Sequence, residues 1–157
     1  MTYLYLIPVT LPWWILIQGL LFISVAFILL GKKGSFSSKN RLLSFLGFYL
    51  FFDLILFEYY FYYHNCFSIK LTLPLAYCSI MQMIASYAAI KRSRLAFEFS
   101  LLLGIFAPLQ SFLSPVIVRA WEDYLIFDYF ISHGILILVP LYMLIVLGFR
   151  PRKFAFT

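Results

Sequence analysis

Charge is scarce in this chain: charged residues make up 11% of 157, with only six carboxylates among them. A water-soluble domain is about a quarter charged, so water is the wrong solvent for this sequence. Cysteine is nearly absent as well. Cys66 and Cys78 are the only two, too few and too irregularly spaced for a disulfide framework or a zinc site. The sequence also lacks a glycine-rich phosphate loop, an HExxH pair, a nucleophile elbow and an acidic metal cluster, which leaves ATPase, metalloprotease and two-metal chemistry unsupported. Neither a metal nor a cofactor is expected. No polar stretch is long enough to build a separate soluble core.

What is present is apolar surface, at 64% of residues and a mean hydropathy of +0.98. The apolar runs are long and do not alternate, which favours spanning helices over a barrel. The expected fold is all-α: a single helical membrane domain over 1–157, with five spans at about 12–30, 42–63, 73–90, 95–118 and 126–148. Trp13 and Trp14 suit an interfacial belt at the start of the first span. That span is not read as a secretory signal, because its basic residues follow it and no small-x-small cleavage site closes it. Pro108 and Pro115 predict a bent or locally unwound fourth helix.

Orientation follows from the basic residues. Lys32, Lys33, Lys39 and Arg41, then Lys91, Arg92 and Arg94, then Arg150, Arg152 and Lys153 fall on one side, against Lys70 and Arg119 on the other. The positive-inside rule puts the larger set in the cytoplasm, with the amino terminus outside and the carboxyl terminus inside. The net charge of +6 does not imply a nucleic-acid partner, since its cations sit in short clusters between apolar runs.

Polar groups inside hydrocarbon are costly and therefore functional suspects. At about 1.5 Å rise per residue, Glu58 and Cys78 lie roughly 8 Å, and His133 roughly 10 Å, from the outer ends of their helices. Gln110, with Ser111 and Ser114 beside it, falls near the same level. Matching depth permits an outward-facing polar pocket built by four helices. A Cys78 thiol activated by His133 would suit acyl transfer through a thioester, with Asp53 or Glu58 accepting the other ring proton. The alternatives remain open, since a lone cysteine in an apolar helix is also a small hydrophobe and a membrane histidine also serves as a cross-bundle hydrogen-bonding group. Asp53 and Glu58 stand about 140° apart around their helix, and both have Gln82 or tyrosine side chains as potential structural partners. Glu98 is expected to pair with Arg94, four residues earlier.

At LPLAYCSI (73–80), FEFSLLLGIFAPLQSFLSP (97–115) and FDYFISHGILILVPLYMLIVLGFRP (127–151) the chain resembles the YwaF-like family of bacterial integral membrane proteins. That family is similar to an animal transmembrane acyltransferase of ether phospholipids that uses a membrane cysteine. The resemblance implies Cys78 as that cysteine, His133 as the histidine of the ISHG segment, and family counterparts for Glu98 and Gln110. The family motif reads LPLHLC where this chain has Ala76 and Tyr77, and family members continue past the GFRP segment through further helices. The resemblance thus implies a shortened member, or one whose remaining helices come from a helical partner or a second copy. The expected function is a lipid acyltransferase-like protein acting on membrane phospholipids at the outer leaflet of a bacterial plasma membrane. The alternatives are a noncatalytic lipid-binding or partner-associating protein and a small transporter component.

Overall fold

In a computed structural model of the chain, residues 4–5, 11–64, 77–113, 116–117 and 123–152 are described. Six helices carry the fold: α1 (Leu11–Lys33), α2 (Phe36–Tyr63), α3 (Tyr77–Lys91), α4 (Arg94–Leu102), α5 (Phe106–Leu113) and α6 (Asp123–Ile145). A two-residue antiparallel pair, β1 (Leu4–Tyr5) on β2 (Val116–Ile117), sets Leu4 against Ile117.

The helix boundaries have local causes. Only Gly34 and Ser35 separate α1 from α2, and the Ser35 side chain caps α2 by accepting from the Ser38 N–H. The polar stretch GKKGSFSSKNR at 31–41, expected as a loop, is therefore divided between the last turn of α1 and the first turn and a half of α2, since a serine cap and solvated polar side chains suit a helix end. Ser93 caps α4 in the same way, on the Ala96 N–H, after a turn in which Arg92 takes a positive φ of 55°. The expected interruption of the fourth span falls at 103–105, between α4 and α5. Pro108 explains its place, because a proline ring collides with the carbonyl four residues earlier, here that of Gly104. The Tyr77 hydroxyl donates to the Leu103 carbonyl at 2.9 Å and so satisfies a group that the break leaves open. Pro115 and Ser114 lie outside the described residues, as do Cys66 and the first residues of the expected third span.

Among the described residues, four helical stretches are long and apolar enough to cross a membrane: Trp13–Lys33, Phe36–Tyr63, Arg94–Leu113 and Asp128–Ile145. This is one fewer than expected. The difference is α3, whose 15 described residues amount to about 22 Å against a hydrocarbon core of about 30 Å.

The core lies between α2, α3, α4 and α6. Leu43, Leu50, Ala85, Ala89, Phe97, Val139 and Tyr142 are fully buried there. α2 and α3 approach closest where Gly47 meets Ser86 and Ala89, and the Ser86 hydroxyl donates to the Gly47 carbonyl at 2.8 Å. A second, smaller cluster of Trp13, Phe112 and Phe130 joins α1, α5 and α6 at the opposite end. Trp13 is buried and its indole N–H donates to the Phe112 carbonyl at 3.1 Å, so it clamps helices together while Trp14 faces outward. Almost the whole of α1 otherwise exposes apolar side chains such as Phe22 and Leu30, the surface of a helix bathed in lipid.

Candidate functional site

Three helices bring polar groups together at the end of the bundle that holds Trp13. Cys78, in the first turn of α3, places its Sγ 3.6 Å from the Ser111 hydroxyl of α5. The Ser111 backbone carbonyl accepts a hydrogen bond from the Tyr129 hydroxyl of α6. One turn further along α6, the His133 ring lies over Tyr129 with centroids 4.5 Å apart, and Phe112 flanks it at 6.0 Å. Cys78 and His133 are thus connected through Ser111 and Tyr129. Among the described residues, no hydrogen bond joins the thiol directly to the imidazole.

His133 Nδ1 stands 2.7 Å from the Tyr129 carbonyl, with the Ser132 hydroxyl at 3.3 Å. A carbonyl can only accept, so Nδ1 carries a proton, and in the neutral ring Nε2 keeps its lone pair. The ring proton that sequence reasoning offered to Asp53 or Glu58 goes to the backbone instead. Helix geometry supplies the reason, because the carbonyl four residues back lies directly beneath a side chain directed toward the helix N-terminus.

The other expected site residues disperse. Gln110 is exposed while its neighbour Ser111 turns inward. Glu58 has no hydrogen bond or ion pair among the described residues, and it lies part-buried away from the thiol network. Asp53 belongs to a second cluster, in which the Gln82 amide donates to its Oδ2 at 2.8 Å and to the Leu50 carbonyl at 3.1 Å. Asp128 of α6 and Tyr49 are also hydrogen-bonded to Asp53, and both carboxyl groups are buried. Two carboxylates only accept, so a bond between Asp53 and Asp128 requires a proton on one of them. Asp128 escaped the sequence reading although it is an acid inside an expected span, the same signal that singled out Asp53.

At the opposite end, Glu98 is 3% exposed and its main partner is Arg152, whose Nε and Nη2 grip the carboxylate at 2.9–3.1 Å while its backbone N–H adds a bond of 2.8 Å. Arg94, the expected partner, reaches Glu98 only at 3.9 Å and spends its guanidinium on the Arg150 carbonyl. The Glu98 carboxylate holds the Arg152 guanidinium above its ordinary value. This clasp fastens the segment after α6 to the start of α4.

The bundle, its exposed apolar faces and its two internal polar clusters define a polytopic helical membrane protein. Residues 6–157 match the model of the TMEM164 family, and the chain belongs to that family. No curated protein matches the chain, and no solved structure does.

Proposed function

We propose that this chain is a membrane lipid acyltransferase-like protein in which Cys78 is the nucleophile and His133 the base, as its resemblance to YwaF-like proteins implies. The observation that carries the reading is the convergence of Cys78, Ser111, Tyr129 and His133 from three helices at one end of the bundle. With Nδ1 tied to a carbonyl, His133 offers Nε2 as the proton acceptor, and the reading requires the thiol to leave Ser111 and reach that nitrogen. The Cys78 thiol loses its proton to His133 and attacks the ester carbonyl of a phospholipid. The lysolipid leaves with that proton and an acyl thioester remains. A hydroxyl of a second lipid then attacks the thioester while His133 takes its proton, and the Cys78 thiol leaves.

The same reading includes five spans, the third at about 73–90, the amino terminus outside, and the site toward the outer leaflet of a bacterial plasma membrane. In this reading the chain associates with a helical partner or a second copy. The test is acyl-thioester trapping on the purified, folded chain with a broad phospholipid donor set, release by hydroxylamine, and Cys78→Ala and His133→Ala as controls. A trapped acyl group lost in both variants supports the chemistry. Absence of any trapped acyl group, together with unchanged cellular lipids on expression, sinks it.

A noncatalytic lipid-binding or partner-associating role is the second reading. It is favoured by the thiol already resting on the Ser111 hydroxyl, and it predicts that both substitutions leave cellular lipids unchanged. A transporter component draws its support from the interrupted α4–α5 and the buried Asp53–Asp128 pair.

A further inference from the structure

Among the described residues, the end of the bundle opposite Cys78 carries more cations than acids. Lys32 and Lys33 close α1, Lys39 and Arg41 lie in the first turns of α2, and Lys91 and Arg92 end α3. Among the described residues the ion pairs at this end all converge on Glu98, which engages Arg152 and Arg94 alone. The first turn of α2 contains no acid.

Against this charge lies a groove of about 580 Å³ along the outward face of α2. Its wall changes character along the helix. Ser37, Asn40, Arg41 and Ser44 make its middle polar, between the exposed ring of Phe36 at the end near the membrane surface and the exposed rings of Phe45 and Phe48 deeper along the helix. Arg92 buttresses the polar middle from behind. Its Nε donates to the Asn40 Oδ1 at 3.2 Å, and its Nη2 donates to the Asn40 carbonyl at 2.6 Å and the Ser44 hydroxyl at 3.1 Å. Its buried Nη1 has no hydrogen-bond partner, and burial pulls the guanidinium below its ordinary value, as expected for a cation lacking a carboxylate.

We propose that this groove binds one anionic phospholipid, with its headgroup phosphate on Arg41, Ser37 and Asn40 and an acyl chain along Phe45 and Phe48. The juxtaposition of a cationic rim with an apolar trough matches the two halves of such a lipid, and a zwitterionic lipid would forfeit the net attraction. The site is separate from the proposed chemistry, because Arg92 follows α3 roughly 20 Å along that helix from Cys78. Failure of acyl transfer leaves it untouched.

The experiment is native mass spectrometry of the full chain in detergent, titrated with dioleoyl phosphatidylglycerol or dioleoyl phosphatidylcholine. The wild type should retain phosphatidylglycerol preferentially. Arg41→Gln should weaken that retention about five-fold, the worth of one cation near an anionic surface. Phe45→Ala should weaken both lipids alike, and Lys33→Gln, outside the groove, should change little. Arg41 and Phe45 are exposed, so both variants should fold. Equal retention of the two lipids by the wild type would overturn the proposal. So would equal losses in Lys33→Gln and Arg41→Gln, which would indicate a diffuse cationic surface. Displacement by excess inorganic phosphate as effective as by free phosphatidylglycerol would assign the groove to free phosphate and overturn it too.

Discussion

Replacing Gly47 by alanine tests the close contact of α2 with α3. A Cβ at this position would stand 2.8 Å from the Ala89 Cβ, 3.0 Å from the Ile90 Cγ1 and 3.1 Å from the Ser86 carbonyl. Carbon atoms pack at about 3.5 to 4.0 Å, so the first contact is short by about 0.7 Å or more. Neither Ala89 nor the Ser86 carbonyl can swing aside, and α2 and α3 must separate. Overpacking of this kind costs about 1–3 kcal/mol, and stretching the Ser86–Gly47 hydrogen bond adds about 0.6 kcal/mol. Gly19 is the internal control, since an added Cβ there meets nothing within 4 Å. Gly19→Ala should be neutral or stabilising by up to about 1 kcal/mol, by relieving a helix-interior glycine. The measurement is reversible unfolding in mixed micelles, with Ala89→Gly as partner in a double-mutant cycle. Removing the Ala89 methyl takes away the shortest clash, so Gly47→Ala with Ala89→Gly should lose less than the sum of the singles. If Gly47→Ala is as stable as Gly19→Ala, the close approach of α2 and α3 is wrong.

Three further outcomes are expected. Glu98→Gln should lower the unfolding temperature more than Arg94→Gln does and expose the segment around Arg152 to protease, because Arg152 supplies the close contacts and Arg94 stands at 3.9 Å; equal effects would contradict this ranking. Asp53→Asn should be tolerated, since an amide can still accept from Gln82 and donate to Asp128, whereas Asp53→Leu strands both partners at a cost of about 1–3 kcal/mol. Folded yields after purification separate the two, and equal yields would remove the cluster's structural role. Cysteines introduced at Ser37 and Ser93 should be shielded from an impermeant thiol reagent in intact cells, and labelling of both from outside would reverse the orientation.

Depth along each helix was legible in the sequence, and rotation about it was not. The apolar runs and an interruption of the fourth span, which falls at 103–105, follow from position alone, whereas of the groups expected at one level Cys78, Ser111 and His133 come together and Glu58 and Gln110 do not. Which way a helix turns is ordinarily read from a polar stripe, but in hydrocarbon the outer face of α1 is as apolar as the core against α6. Rotation therefore rests on a few polar contacts. Gln110 and Ser111 are adjacent in sequence and only Ser111 turns inward, a choice that no periodicity announces.

Local spacing finds only part of a contact where the chain folds back. Four-residue spacing pointed from Glu98 to Arg94, which pairs with it at 3.9 Å, while Arg152, 54 residues away, makes the bidentate contact. An arginine fork on a buried carboxylate outcompetes a side chain that must bend along its own helix. Pairing polar residues between helices, as in the expected Asp53–Gln82 contact, is what fixes rotation. Asp53, Gln82 and Asp128 are polar groups in different helices, and each needs a partner away from water. Once Asp53 is assigned to Gln82 and Asp128, the buried face of α2 is set, Gly47 falls against Ser86, and His133 is left with its own helix carbonyl. The two polar clusters then have separate bonds to account for: one holds the rotation of α2, α3 and α6, and the other leaves a thiol and an imidazole nitrogen uncommitted to any carboxylate.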